Sequence, residues 1–415
     1  MSQVQPRTRV TPPPHRPAAG TARPKGSGPM LAGAARRAWP ALALYALVRT
    51  VGVLVVLPHT DRSVLQVLAS RFDTTWYLLI AEEGYPATCP VQGELCRYAF
   101  FPLYPTLIRT VTALTPLSAQ WAAWLIAVTA SLAAAWGVYA VVERVAGRRA
   151  GIVSVVLWGL VPHAVVESMA YTEALFTAFS AWALYAVLTR RWITAGVLAV
   201  LAGLTRPPGA AVAATVALCA LWALWSARRP AGPQEQRPDG PGPDGRGPRQ
   251  VARLVTAVVL APLGWLSWFG WVGYRAGRWD GYLRVQERWG TSFDGGRFTL
   301  HRVTQVFTQQ TVFLDSVVIA ATLTMAVVLL VVCHLQRLPA PLLIHATLIV
   351  LITVGCAGYF HSKARFLIPA FVLLIPLAKP LARARPAVVC TLLTGAALIS
   401  NAYGIYLLTV SDHSP

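Results

Sequence analysis

One carboxylate, Asp73, sits among aromatic side chains in the stretch Arg71-Phe72-Asp73-Thr74-Thr75-Trp76-Tyr77-Leu78-Leu79-Ile80-Ala81-Glu82-Glu83-Gly84-Tyr85, and the block Phe100-Phe101-Pro102-Leu103-Tyr104-Pro105 follows it. A positioned carboxylate can take the proton of a hydroxyl as that hydroxyl attacks, an effect worth roughly 10²–10⁴-fold. If Thr74 to Glu83 form a helix, Gly84 is a natural stop. Asp73, Trp76, Tyr77 and Ile80 then follow i, i+3, i+4, i+7 spacing and share one face. The same residues also fit a purely structural role, in which Asp73 caps the helix with Ser70 in an S-x-x-D pattern.

Other ionisable residues stand at the edges of apolar runs. Glu173 follows Tyr171, Arg206 precedes Pro207 and Pro208, and His361, Lys363 and Arg365 lie close together. A carboxylate at a span entry is costly to bury and is therefore a candidate for function. The structural alternative for Glu173 is an N-terminal acid favoured by the helix dipole. For Lys363 and Arg365 it is snorkelling to the interface, and for Arg206 a turn residue packing on carbonyls.

The elements that must position these groups are membrane helices. The 415 residues are 55% hydrophobic and 13% charged, against about 25% charged in a soluble globule. Apolar runs approach or reach the roughly 20 residues that cross a bilayer, without the period-2 alternation of a barrel strand. The expected class is all-α: a polytopic integral membrane protein with about 11 transmembrane helices. The expected spans are 38–58, 118–142, 149–166, 172–189, 193–205, 209–226, 254–274, 313–333, 341–359, 366–380 and 387–409. Residues 1–37, Pro- and Arg-rich without an apolar core, read as a disordered basic cytoplasmic tail with no cleavable signal. Residues 38–226 form an N-terminal membrane part with a long outer loop at 59–117. A Pro/Gly/Arg linker at 227–253 separates it from a C-terminal membrane part, 254–415, whose outer loop covers 275–312. With the N-terminus in the cytoplasm, 22 of the 36 basic residues fall in the inner segments, as the positive-inside rule asks.

The net charge of +20 lies at span ends with no nucleic-acid motif, so membrane lipids, not nucleic acids, are the expected partners. Cys89 and Cys96 share the first outer loop and could form a disulfide in an oxidising compartment. No neighbouring Cys or His completes a metal site there. A Walker loop, a G-x-G-x-x-G turn and a Ser or Cys nucleophile motif are all missing.

Four blocks, in order, resemble the PIG-V-like mannosyltransferases of the GT-C superfamily of polytopic glycosyltransferases. They are Phe72-Asp73-x-x-Trp76-Tyr77-x-x-Ile80-Ala81-x-x-Gly84-Tyr85 with Phe100 to Pro105, then Tyr171-Thr172-Glu173-Ala174-Leu175-Phe176, then Ala202-Gly203-Leu204-Thr205-Arg206-Pro207-Pro208-Gly209, and last Arg365-Phe366-Leu367-Ile368-Pro369-Ala370-Phe371. Pro208 stands where the family usually has Thr. The blocks cover residues 72 to 371.

The resemblance implies a GT-C-like fold with interfacial helices in the first outer loop. It implies transfer of a sugar, with inversion, from a polyprenyl-phosphate donor to a hydroxyl of a glycolipid, glycan or protein acceptor on the extracytoplasmic side. Asp73 matches the expected general base. No D-x-D or D-D pair accompanies it, so a single acid serves and metal dependence is not expected; the lipid-linked donor is a substrate and no cofactor is implied. Arg365, Lys363 and Arg206 are the expected cations for the departing phosphate. Trp76, Tyr77, Tyr104 and Glu173 are the expected substrate contacts. Two other classes compete: a secondary transporter, which would show paired repeats and mid-membrane breaks, and a non-catalytic scaffold of envelope glycan assembly.

Overall fold

A computed structural model describes residues 28–89, 95–228, 247–309, 313–411 and 413–414. The tail expected over 1–37 lies outside the described residues as far as residue 27, and the linker expected over 227–253 does so for residues 229–246. The chain divides into two units, Met1–Arg37 and Ala38–Pro415. Within the first, the residues from Gly28 onward are already helical. Everything below concerns the second.

The described residues are almost wholly helical. In chain order come α1 (Gly28–Val56), α2 (Val64–Leu68), α3 (Asp73–Glu83), α4 (Leu103–Leu114), α5 (Ala119–Ala146), α6 (Arg148–Trp158), α7 (Glu173–Leu188), α8 (Trp192–Gly203) and α9 (Gly209–Arg228). After the linker follow α10 (Pro248–Leu260), α11 (Leu263–Arg275), α12 (Gly281–Arg288), α13 (Arg297–Thr308), α14 (Leu314–Leu335), α15 (Ala340–Gly355), α16 (Lys363–Phe366), α17 (Ile375–Leu381) and α18 (Pro386–Thr409). One two-residue bridge, β1 (Ser292–Phe293) to β2 (Cys356–Ala357), is antiparallel.

Eleven spans were expected; among the described residues six helices are long and apolar enough to cross a membrane, seven if one bent pair counts as a span. The expected runs at 172–189, 193–205 and 341–359 fold as shorter apolar helices, α7, α8 and α15. The run at 149–166 holds the 11-residue α6, followed by turns and the start of a short 3-10 helix, Ala164–Ser168. Hydropathy registers an apolar run without registering where its helix stops. The run at 366–380 holds the bent pair, Phe360–Phe366 and Phe371–Leu381, with 73° between its halves. Proline 369 lies in the break and cannot donate a helix bond. Carbonyls freed there find side chains: Trp158 Nε1 donates to Ile368 O at 3.0 Å, and His345 Nε2 lies 3.2 Å from Pro369 O.

The core is close-packed around α5 and α7. Small residues let their backbones approach: a Cβ on Gly137 would stand 2.9 Å from Ala181 Cβ. The buried Arg49 of α1 is satisfied inside the bundle, donating to Ser168 Oγ at 2.9 and 3.0 Å and to Gly159 O at 3.1 Å. Beside it, Tyr45 donates to Glu167 at 2.8 Å.

Helix α3 lies within the segment 59–117 and packs on α4, α5 and the turn before α7. Thr74 Oγ1 donates to Ala170 O at 3.2 Å, and Tyr77 OH lies 3.1 Å from Thr172 Oγ1. The helix ends at Gly84, whose φ of +81° favours glycine. The segment 275–312 holds α12, β1 and α13, and the β1–β2 bridge ties it to the chain just before Arg365.

Candidate active site

Four charged side chains from separate parts of the chain meet at one end of the bundle. Arg365 Nη2 donates to Asp73 Oδ2 at 2.7 Å. Arg365 Nε lies 3.5 Å from Glu173 Oε1. Glu173 in turn is ion-paired with Arg206, which also donates to Thr172 Oγ1 at 3.3 Å. The order Asp73–Arg365–Glu173–Arg206 alternates in sign, so every charge faces an opposite one. The Phe366 ring lies 5.3 Å from the Arg365 guanidinium and 5.5 Å from that of Arg206. Tyr171 presents its ring to Arg365 from 5.0 Å.

Exposure distinguishes the members. The Glu173 side chain is 2% exposed and that of Arg365 6%, whereas Arg206 is 13% and Asp73 28% exposed. Asp73 can therefore meet a solute; Glu173 holds both arginines from beneath. The three groups Asp73, Arg206 and Arg365 line a cleft enclosing about 730 Å³, counting the space open at its mouth. Phe100, Gln286, Trp289 and Tyr359 also line it.

Local backbone geometry sets the acid. Asp73 is the first residue of α3, and Phe72 before it has φ 55° and ψ −127°. A bulky residue at positive φ costs about 1–3 kcal/mol and is held only where its surroundings fix it. Tyr359, on the cleft wall, has φ 41°. The capping role considered for Asp73 is replaced: its carboxylate faces Arg365, and Ser70 Oγ donates to Gln66 O at 2.6 Å in the preceding turn.

The expected site residues separate into two groups. Asp73, Tyr77, Arg206 and Arg365 line the cleft, with Glu173 bonded beneath them. Burial pushes the Tyr77 hydroxyl well above its usual range, the Asp73 charge adding to the effect, so this phenol stays a proton donor. Trp76 is half-buried behind the cleft wall, stacked on Phe100 at 5.9 Å and edge-on to Trp289 at 5.1 Å. Tyr104 is fully buried and donates to Ala123 O at 2.8 Å, a packing position under Tyr77.

Lys363 does not reach the cleft. Its ammonium donates to Thr353 O at 2.7 Å and Cys356 O at 2.5 Å, neutralising the exposed carbonyls at the end of α15. Two residues along a one-turn helix point in different directions, so Arg365 and Lys363 part company. Cys89 and Cys96 are joined as a disulfide. Among the described residues no three His, Cys, Asp or Glu side chains gather as a metal site would require.

The cleft also has walls that the motifs did not mark. Gln286, Trp289 and Thr291 come from the segment 275–312, Tyr359 and Ser362 from the strap before α16, and Ser414 from beyond α18. Ser414 Oγ accepts from Arg365 Nη1 at 3.3 Å. The aromatic richness of 275–312 was the available signal for Trp289, but it reads equally as an interfacial belt.

Residues 101–232 match the family described as dolichyl-phosphate-mannose-protein mannosyltransferase. No curated protein matches the chain. Among solved structures, ArnT from Cupriavidus metallidurans bound to undecaprenyl phosphate is similar with a TM-score of 0.53 and 16% identity, over 85% of this chain and 63% of that one. Its apo form gives 0.52 and 15%, over 89% and 65%. The chain thus spans somewhat less than two thirds of the length of the ArnT structures it matches. It is a polytopic helical membrane protein, and its fold is the GT-C fold that it shares with ArnT.

Proposed function

We propose that this chain is a membrane glycosyltransferase that moves a sugar, mannose in our reading, from a polyprenyl-phosphate donor to an acceptor hydroxyl. The observation that carries the proposal is the cleft in which the part-exposed Asp73 carboxylate lies 2.7 Å from a buried arginine. An acid and a cation side by side suit a reaction that takes a proton from one partner and releases an anion from the other.

In this mechanism the acceptor oxygen attacks the anomeric carbon while Asp73 takes its proton. The bond between that carbon and the phosphate oxygen breaks, and the lipid phosphate leaves with the electron pair. Attack opposite the leaving group inverts the anomeric centre. Arg365 and Arg206 stabilise the growing phosphate charge. Arg365 has a second task, because an arriving phosphate competes with Asp73 for its guanidinium and so releases the carboxylate. Glu173 keeps both arginines aimed at the cleft and leaves them a net positive charge to offer.

Several lines support this reading. The ArnT structure that shares the fold was solved with undecaprenyl phosphate bound. The matched family is described as using dolichyl-phosphate-mannose. Residues of the motifs at 72–105, 202–209 and 365–371 line one cleft, and Glu173 of the motif at 171–176 ion-pairs with its two arginines. We place the cleft on the extracytoplasmic side, since the opposite segments hold most of the basic residues. The acceptor is a glycolipid, glycan or protein hydroxyl.

The test is incubation of the purified protein with radiolabelled polyprenyl-phosphate-mannose and a cell-envelope extract. Label passing into a lipid-free or glycolipid product supports the proposal. A protein that neither binds polyprenyl phosphate nor transfers label overturns it.

A further inference from the structure

The charged residues occupy one part of the cleft; an aromatic shelf occupies another. Phe100 and Trp289 both line it, with ring centroids 5.2 Å apart and planes at 81°. Trp289 is held in place, its Nε1 donating to Cys96 O at 3.0 Å, and Cys96 is itself tied to Cys89. Trp76 backs both rings from behind. Next to the shelf stand Gln286 and Thr291, also on the cleft wall. The Gln286 amide is locked: Nε2 donates to Tyr282 OH at 2.7 Å and Oε1 accepts from Thr291 Oγ1 at 2.7 Å. Thr291 Oγ1 spends its proton on Gln286 and keeps its lone pairs as acceptors.

A rigid aromatic surface beside fixed hydrogen-bond acceptors is what a pyranose ring requires. The ring offers a patch of C–H groups on one face and hydroxyl donors around its rim. The aromatic face takes the first and Thr291 takes the second, while lipid tails and phosphate have no use for such a pair. From this juxtaposition we propose that Phe100, Trp289, Gln286 and Thr291 form a sugar subsite, distinct from the phosphate end at Arg365 and Arg206. The inference rests on the glycosyltransferase reading above and adds the second outer segment to its binding machinery. The sugar is a pyranose carried either by the donor or by the acceptor.

The experiment compares wild type with Trp289→Ala and Trp289→Phe. Dissociation constants are measured for undecaprenyl phosphate and for undecaprenyl-phosphate-mannose, and KM is measured for the acceptor. Loss of one aromatic contact is expected to weaken sugar binding about tenfold. If the donor's sugar sits on the shelf, Trp289→Ala weakens the mannose-bearing lipid about tenfold and leaves undecaprenyl phosphate unchanged. If the acceptor's sugar sits there, both lipids bind as in wild type and the acceptor KM rises instead. Trp289→Phe retains most of the affinity in either case, because it keeps a ring. Equal weakening of both lipids, or no change in any of the three constants, overturns the subsite. Undecaprenyl phosphate binding by the variant reports that the protein is folded. Failure of wild type itself to bind that lipid counts against the underlying reading and is thereby told apart from failure of the shelf.

Discussion

Arg365 Nη2 stands 2.7 Å from Asp73 Oδ2, closing a gap of 292 residues along the chain. The pair joins the start of α3 to the broken helix at 360–381, and each partner has a different chemical task. Asp73→Asn keeps the shape and removes the base. Transfer is expected to fall by roughly 10²–10⁴-fold, while polyprenyl-phosphate binding persists because Arg365 is freed. Transfer assays and lipid binding on the same preparation check this; full activity in the variant removes Asp73 from the chemistry.

Asp73 was legible in the sequence because aromatic neighbours, the helix stop at Gly84 and an ordered motif all mark it. Its partner was legible only as a candidate. Nothing local distinguishes Arg365 from Lys363, two residues earlier on the same one-turn helix, and which of them meets the cleft and which the carbonyls of Thr353 and Cys356 is set by how that helix packs, a tertiary property. Membrane class followed from composition, but the stops of α6, α7, α8 and α15 depend on packing that hydropathy does not register. Trp289 and Gln286 carry no motif; they join the site only because the segment 275–312 docks on residues 96–100. Arg49, a charge inside a span, found a hydroxyl and a carbonyl as partners, which no spacing rule announces.

Glu173 ion-pairs with both arginines from a nearly sealed position. Removing one member of a buried charge network leaves the others uncompensated, at a cost of about 3–5 kcal/mol. Glu173→Gln is therefore expected to lower the unfolding temperature in detergent and to weaken polyprenyl-phosphate binding, since two unheld guanidiniums repel and lose their aim. Exposed Glu82→Gln is the control and should behave as wild type. Unchanged stability and binding in Glu173→Gln contradict the positioning role.

Gly358 has φ +83°, and a Cβ placed on it runs into the carbonyl oxygen of Gly290. The contact lies where the β1–β2 bridge fastens the segment 275–312 to the strap before Arg365. Gly358→Ala must shift one strand or rotate the strap, and either moves Arg365 relative to Trp289. The expected result is a large loss of transfer with the helical content unchanged, read by activity alongside far-ultraviolet circular dichroism. Gly395→Ala, with nothing within 4 Å of its added Cβ, is the neutral comparison.

The Cys89–Cys96 disulfide closes a short loop, with Cα atoms 5.4 Å apart, and the carbonyl of Cys96 anchors the Trp289 indole. A loop of this size stabilises by about 2 kcal/mol through the unfolded chain. Replacing both cysteines by serine is expected to lower the unfolding temperature modestly. It should also loosen the Trp289 ring, because its hydrogen-bond acceptor then sits on an untethered segment. Arg275 offers a second fastening, donating to Pro86 O at 2.9 Å and Ala87 O at 2.6 Å. The double variant should therefore stay folded, and combining it with Arg275→Ala should lose more stability than the two changes give separately, because each fastening limits the damage from loss of the other. A strictly additive result would mean that the two clamps hold independent parts of the loop.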